Sequence, residues 1–195
     1  MSQVQRRHDP VQKGRQDVLP ERGLRVRSGC QKGKVSGMAI ETSAKETINT
    51  LNAIFEKHKN DRICVLATTC CGKTTLLKQI PDCVDLDDEL WPQLTKEEAE
   101  FISRKPWTSE IGDFIDKLVY EKISVKAGRP LFTTIIVDCD VVVYLDISDD
   151  LLAEHCKKRG NDFTDSKNVK MSVEEDWNNH RRKGGKTFYY LTLTE

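Results

Sequence analysis

Residues 62–67 read Arg-Ile-Cys-Val-Leu-Ala, and the chain passes directly from them into Thr68-Thr69-Cys70-Cys71-Gly72-Lys73-Thr74-Thr75. The first stretch is a nearly continuous apolar run of the length expected for a parallel strand buried on both faces. From Ala67 to Thr74 the string matches the pattern Ala/Gly, four residues of any type, then Gly-Lys-Ser/Thr. Each residue type has a physical purpose there. Consecutive backbone N–H groups curl around a phosphate, Gly72 lets the backbone approach closely, Lys73 reaches the β- and γ-phosphates, and Thr74 offers a hydroxyl to Mg²⁺. A helix starting at Thr74 adds its positive dipole. The phosphates of ATP are therefore expected to bind Ala67, Thr68, Thr69, Cys70, Cys71, Gly72, Lys73, Thr74 and Thr75. Ala67 stands where glycine is commoner and adds a Cβ at the strand end.

The pattern around this string alternates helix and strand. Ile48, Leu51, Ile54 and Phe55 recur at helical spacing within residues 42–59, which predicts an amphipathic helix leading into the strand. Residues 74–80 read as a helix stopped by Pro81, and 83–86 as a second strand. Thr95 with Glu98 forms a capping-box pattern, and Ile111, Phe114, Ile115, Leu118, Val119 and Ile123 draw a helical stripe that ends at Gly128. Residues 131–137 and 141–147 are the strongest strands, both rich in β-branched side chains. Their short connection is odd, because parallel neighbours need a crossover of a dozen or more residues. Either the first of them ends near Thr134, or the pair is locally antiparallel. Ser148 can cap the next helix and Gly160 can close it. Residues 161–170 have the polar character of a mobile loop, Ser172 with Glu175 signals a further helix, and 187–193 a closing strand. Strands alternating with helices imply an α/β fold in three layers, with a mainly parallel sheet of about five strands.

Composition sets the outer bounds. At 195 residues, 37% hydrophobic and 32% charged, the chain suits one globular domain. No apolar run approaches the roughly 20 residues of a membrane span, and no secretory signal opens the sequence. A cytoplasmic protein with no membrane partner is expected. The zero net charge hides an asymmetry: residues 1–37 carry nine Lys/Arg against three Asp/Glu, and residues 38–195 carry 22 against 28. Residues 1–37 read as a disordered basic tail, or as upstream sequence ahead of a start at Met38, and 38–195 as the catalytic domain. The acidic balance of that domain speaks against a nucleic-acid substrate. The seven cysteines lack paired spacing and read as buried thiols, although a phosphate loop rich in N–H groups could lower the pKa of Cys70 or Cys71.

A second landmark, Asp85-Leu86-Asp87-Asp88, falls at the end of the second strand, where ligands bind in open α/β sheets. With the phosphate-loop string ahead of it, residues 62–193 resemble the P-loop small-molecule kinases, which include shikimate, gluconate and nucleotide kinases. That resemblance implies a P-loop NTPase fold and transfer of the γ-phosphoryl group of Mg·ATP to a small hydroxyl-bearing acceptor. It implies Asp85 and Thr74 as supports for the metal, and Asp87 as the group that orients and deprotonates the acceptor hydroxyl. Leu90, Trp91 and Pro92 would wall the acceptor pocket.

The third landmark is Val-Val-Val-Tyr-Leu-Asp-Ile-Ser (141–148), followed by a helix ending Lys157-Lys158-Arg159-Gly160. In the kinases a similar segment leads to a lid that supplies an arginine to the transferring phosphoryl group, whose catalysis is mostly positioning and charge stabilisation. Arg159 is the first candidate by that resemblance, with Arg181 and Arg182 next. Asp138 or Asp140 is a candidate Walker-B-like acid, with Asp138-Cys139-Asp140 read alternatively as the tight turn joining two strands. Two alternatives accompany this expectation. A nucleoside monophosphate kinase would use Arg104 and Arg129 to grip an acceptor phosphate, and a regulatory protein would bind nucleotide without turnover.

Overall fold

The computed structural model describes residues 40–42, 44–105 and 108–194. The basic segment 1–37 and the start at Met38 lie outside the described residues. Among the described residues six strands form one sheet: β1 (Ile40–Thr42), β2 (Ile63–Ala67), β3 (Val84–Asp85), β4 (Leu131–Thr133), β5 (Val141–Ile147) and β6 (Thr187–Leu193). Their order is β1-β6-β5-β2-β4-β3, and every pairing is parallel. The sheet is thus one strand wider than the periodicity suggests. The extra strand, β1, is three residues long, too short to carry an alternating signature.

Among the described residues seven α-helices accompany the sheet: α1 (Ala44–Lys57), α2 (Lys73–Leu77), α3 (Leu86–Leu90), α4 (Lys96–Ile102), α5 (Ser109–Lys122), α6 (Asp149–Arg159) and α7 (Phe163–Lys183). Side chains alternate across a strand, so β2 and β5 feed two cores. Ile63, Val65 and Ala67 of β2, with Val141, Val143, Leu145 and Ile147 of β5, pack beneath α1, α2 and α6. Cys64 and Leu66, with Val142 and Tyr144, pack against α3, α5 and α7. Helices therefore cover both faces. This explains why β2 and β5 read as unbroken apolar runs.

The odd connection is resolved by shortening. β4 stops at Thr133, and β4 and β5 flank β2 rather than each other. Residues 134–140 return across one face of the sheet as a strap, with Ile136, Val137 and Cys139 buried in the second core. A crossover helix would satisfy its own backbone; this strap relies on side chains instead. Ile136 N–H donates to Asp176 Oδ2 (2.7 Å), its carbonyl accepts from Tyr120 Oη (3.2 Å), and the Cys139 carbonyl accepts from Lys186 Nζ (2.5 Å).

The expected mobile loop over 161–170 is instead the start of α7. Asp162 caps it, its carboxylate accepting from Asp165 N–H (2.9 Å). Ser166, Lys170, Val173 and Trp177 recur at helical spacing and are all buried. Two of these buried positions are polar, which disguised the stripe. Lys170 is held by Asp149 (2.9 Å) with Asp146 and Glu174 close by.

Candidate functional site

All six strands are parallel, so their C-terminal ends share one edge. Between β2 and its neighbours the chain order reverses, with β3 and β4 to one side and β5 and β6 to the other. Crevices for ligands form at such switch points. The loop 68–72 leaves the sheet there and turns into α2. Cys70 at φ 59 and Gly72 at φ 100 take left-handed conformations that curl the backbone. At Gly72 a Cβ would meet nothing within 4 Å, so it is the backbone conformation that demands glycine.

Side chains pin this loop from below. Thr68, Cys70 and Cys71 are buried. Thr68 Oγ1 donates to the Ser166 carbonyl (3.4 Å), His155 Nδ1 donates to the Cys70 carbonyl (2.9 Å), and Asn161 Nδ2 reaches Cys70 Sγ (3.1 Å). The N–H groups of Gly72, Lys73 and Thr74 find no backbone acceptor among the described residues, as at the start of any helix. Thr74 and Thr75 are exposed. Burial pushes the Cys71 thiol up, against the opposing charges of Lys73 and Arg159. The lowered pKa considered for a loop thiol is therefore not found at Cys71. The six described cysteines are free thiols.

The carboxylates of the second landmark stand beside the loop. Asp85 caps α3, its Oδ1 accepting from Asp87 N–H (3.2 Å). Asp85, Asp87 and Asp88 share a cleft of about 480 Å³ with Thr74. Asp87 also lines a second cavity, of about 400 Å³, with Thr69 and Lys73. It thus joins the two. Desolvation raises the Asp87 carboxyl above its ordinary value, the Lys73 charge pulls the other way, and Asp85 and Asp88 push it further up. The second cavity is walled by Leu86, Leu90, Trp91, Ile102, Ile115, Ile135 and Val169. Of the three residues expected to wall an acceptor pocket, Leu90 and Trp91 line this cavity and Pro92 does not.

Compared with known proteins, the chain matches no family model and no curated sequence. Hydroxyl and carboxylate oxygens of Thr74, Asp85 and Asp87 are hard ligands of the kind Mg²⁺ accepts, usually one or two at a time beside phosphate and water. No cluster of three or more metal-ligating side chains occurs among the described residues. Lys73, at the head of α2, is the one cation that lines the second cavity among the described residues.

The remaining candidates divide by the edge of the sheet they occupy. Arg159 ends α6 near the loop, close enough for its charge to act on Cys71. Arg181 and Arg182 lie toward the other end of α7, roughly 22 Å along the helix from Ser166 at 1.5 Å per residue. Arg181 there covers the Trp177 ring at 5.7 Å. Asp138 and Asp140 are also remote, because both pair with Arg62 at the N-terminal end of β2. They stand about 16 Å of strand away from Ala67, and neither takes a Walker-B-like position. At the C-terminal end of β4 the chain presents Thr133 and Thr134 instead. Arg129 pairs with Glu89 (3.0 Å) and Arg104 covers the Phe101 ring at 4.9 Å; neither lines the cavity.

Sequence reasoning missed the far wall of that cavity. Ser109, Gly112, Asp113 and Asp116 of α5 line it, at the i, i+3, i+4, i+7 spacing that puts residues on one helix face. The signal was present as a polar stripe beside the apolar one. Burial, with the charges of Asp176 and Asp113, raises the Asp116 carboxyl to about 6.

Proposed function

We propose that this chain is an ATP-dependent phosphotransferase of the P-loop small-molecule kinase type, acting on a hydroxyl-bearing metabolite. The observation that carries this reading is the position of Asp87, which lines both the cleft that holds Thr74 and Asp85 and the apolar-walled cavity that holds Lys73. Mg·ATP supplies the electrophilic γ-phosphorus and the neutralised leaving group. The curled backbone of 68–72 and Lys73 receive the phosphates, and Thr74 with Asp85 supports the metal. Asp87 orients the acceptor and accepts its hydroxyl proton, while the acceptor oxygen bonds to the γ-phosphorus and the bond to ADP breaks. A carboxyl with a raised pKa is better matched to that proton than an ordinary one. Arg159 adds positive charge at the transferring group.

A nucleoside monophosphate acceptor fits less well, because its phosphate would meet no arginine in the cavity wall. A regulatory nucleotide-binding protein is the second reading. It is favoured by one observation: the end of β4 offers threonines where a second metal-supporting carboxylate would be useful.

Calorimetry of Mg·ATP with the full chain and with Lys73→Ala tests the nucleotide half. Binding weakened at least tenfold by the substitution supports it, and equal binding overturns it. Acceptor-dependent ADP release then separates the kinase from the regulatory protein.

A further inference from the structure

The loop after β2 carries a side chain that its own backbone does not call for. Cys70 is one of two non-glycine residues at positive φ among the described residues, in a conformation that glycine takes without strain. The residue is 5% exposed and sits in the core beneath α1, α2 and α6, together with Cys156 of α6, which is 1% exposed.

Three residues of α6, α7 and their connection bring the two cysteines together. His155, the neighbour of Cys156, donates to the Cys70 carbonyl through Nδ1 (2.9 Å). Asn161 bridges the pair: its backbone N–H donates to the Cys156 carbonyl (3.0 Å) and its Nδ2 to the Cys70 sulfur (3.1 Å). Ser166 Oγ stands 3.9 Å from the same sulfur, and the Cys156 thiol lies within reach of both Ser166 and Cys70. A glycine at position 70 would relieve the backbone, and other small apolar side chains would fill the space. What only two cysteines can do there is form a bond across it.

We propose that Cys70 and Cys156 are a modification site, oxidised to a disulfide by hydrogen peroxide, and that this bond fastens the loop 68–72 to α6 and shifts its N–H groups away from a bound phosphate. The modification stands on the thiol pair alone; its effect on nucleotide rests on the kinase reading. Cys70, the more exposed of the two, reacts first. Its sulfur attacks one peroxide oxygen, the O–O bond breaks, and a sulfenic acid and one water result. The Cys156 sulfur then attacks the Cys70 sulfur, the S–OH bond breaks, and the hydroxyl leaves with the Cys156 proton as a second water. Two thiols give up two electrons and two protons, and the peroxide takes them up. Bonded sulfurs lie closer than two thiols in contact, so the loop is drawn toward α6 at Cys70 and loses the Asn161 hydrogen bond to the free thiol.

The test treats the full chain with hydrogen peroxide, then digests it without reductant using trypsin and a glutamate-specific protease. The second protease cuts after Glu154 and so parts Cys156 from Cys139; fragmentation in the mass spectrometer parts Cys70 from Cys64 and Cys71. A Cys70–Cys156 peptide that dithiothreitol removes is expected. Mg·ATP affinity, by calorimetry, should fall about fivefold or more as the loop N–H groups shift, and should return with the same reductant. Cys156→Ser should match the reduced wild type within about twofold and lose the response to peroxide, while Cys83→Ser, at the half-buried thiol ahead of β3, should keep it. Three results would overturn the proposal: no linked peptide at peroxide levels that oxidise Cys83, a linked chain whose Lys73-dependent Mg·ATP affinity is unchanged, or a peroxide response that survives Cys156→Ser. The first two are read on the wild type and stand even if that variant fails to fold. Failure of the kinase reading is distinguishable, since Mg·ATP binding to the reduced chain would then be insensitive to Lys73→Ala while the linked peptide still formed.

Discussion

Asp87 illustrates how a single residue acquires its properties from where the backbone puts it. Its neighbours in sequence are Leu86, whose side chain enters the core, and Asp88, which like Asp87 itself is exposed. The turn into α3, capped by Asp85, sets Asp87 between a cleft and a cavity. On the kinase reading, Asp87→Asn keeps the shape and removes the base. Turnover should fall on the order of 10²-fold or more while Mg·ATP affinity changes by less than about twofold; single-turnover kinetics beside calorimetry checks both. The carboxylate must be ionised to accept a proton, and its pKa is raised. The acid limb of kcat/KM against pH should therefore lie above the ordinary carboxylate range, with activity lost as pH falls through it. Gly72 makes a second case. At φ 100 an alanine is strained although space is free, so Gly72→Ala should cost about 1–2 kcal/mol, measured by urea unfolding, and, on the kinase reading, should weaken nucleotide binding by displacing the N–H groups beside it.

At the scale of elements, α6 and α7 show how capping and burial outweigh local polarity. Ser148 opens α6 by accepting from Leu151 N–H (3.2 Å), Gly160 closes it at φ 69, and two residues later Asp162 opens α7. The connection is too short to be a lid. Its Asn161 instead ties the helix pair to Cys70 of the loop. Asp162→Ala should cost about 1 kcal/mol, the usual worth of such a cap. Hydrogen exchange should report it first in residues 163–166. Because Ser166 accepts from Thr68, loosening there should also raise exchange in the 68–72 loop; no change in that loop would separate the two elements. The capping box of α4 formed as its spacing suggested, with Thr95 and Glu98 serving each other's backbone at 2.8 and 3.2 Å. That signal is local, which is why sequence could carry it. The start of α7 depends on Ser166 and Lys170 finding buried partners in other elements, which sequence could not.

For the whole molecule, the strap between β4 and β5 is the feature on which the sheet depends. Seven residues bring the chain from one edge of the sheet to the other, and Asp176 of α7 satisfies the Ile136 N–H on the way. Asp176→Ala should leave that donor unpaired and cost about 1–3 kcal/mol, read as a lowered urea midpoint with an unchanged slope. The opposite edge carries a pH-sensitive anchor. Arg62 holds Asp140 at 2.8 Å and draws its carboxyl down to about 2. A depressed carboxylate stabilises the fold above its unfolded value and loses that contribution as pH falls. The stability gap between the wild type and Asp140→Asn should therefore be present at pH 6, shrink below about pH 4 and close near pH 2, as followed by thermal melting.

Sequence alone determined the order of the principal elements, the two doubly buried strands and the loop string between β2 and α2, because these rest on period, composition and contiguous spacing. Its limits follow from the same physics. A three-residue edge strand, a helix whose buried stripe is half polar, and a strap satisfied by distant side chains have no local signature. Only the packed chain separates Asp87 from Asp138 and Asp140, all acidic residues near strand ends and all plausible on spacing. Parallel pairing sends the first to the C-terminal edge and holds the others at the N-terminal edge. The far wall of the cavity arose in the same way: Asp113, still exposed, and Asp116, half-buried, line it only because the sheet and the loop after β2 are laid beside their helix.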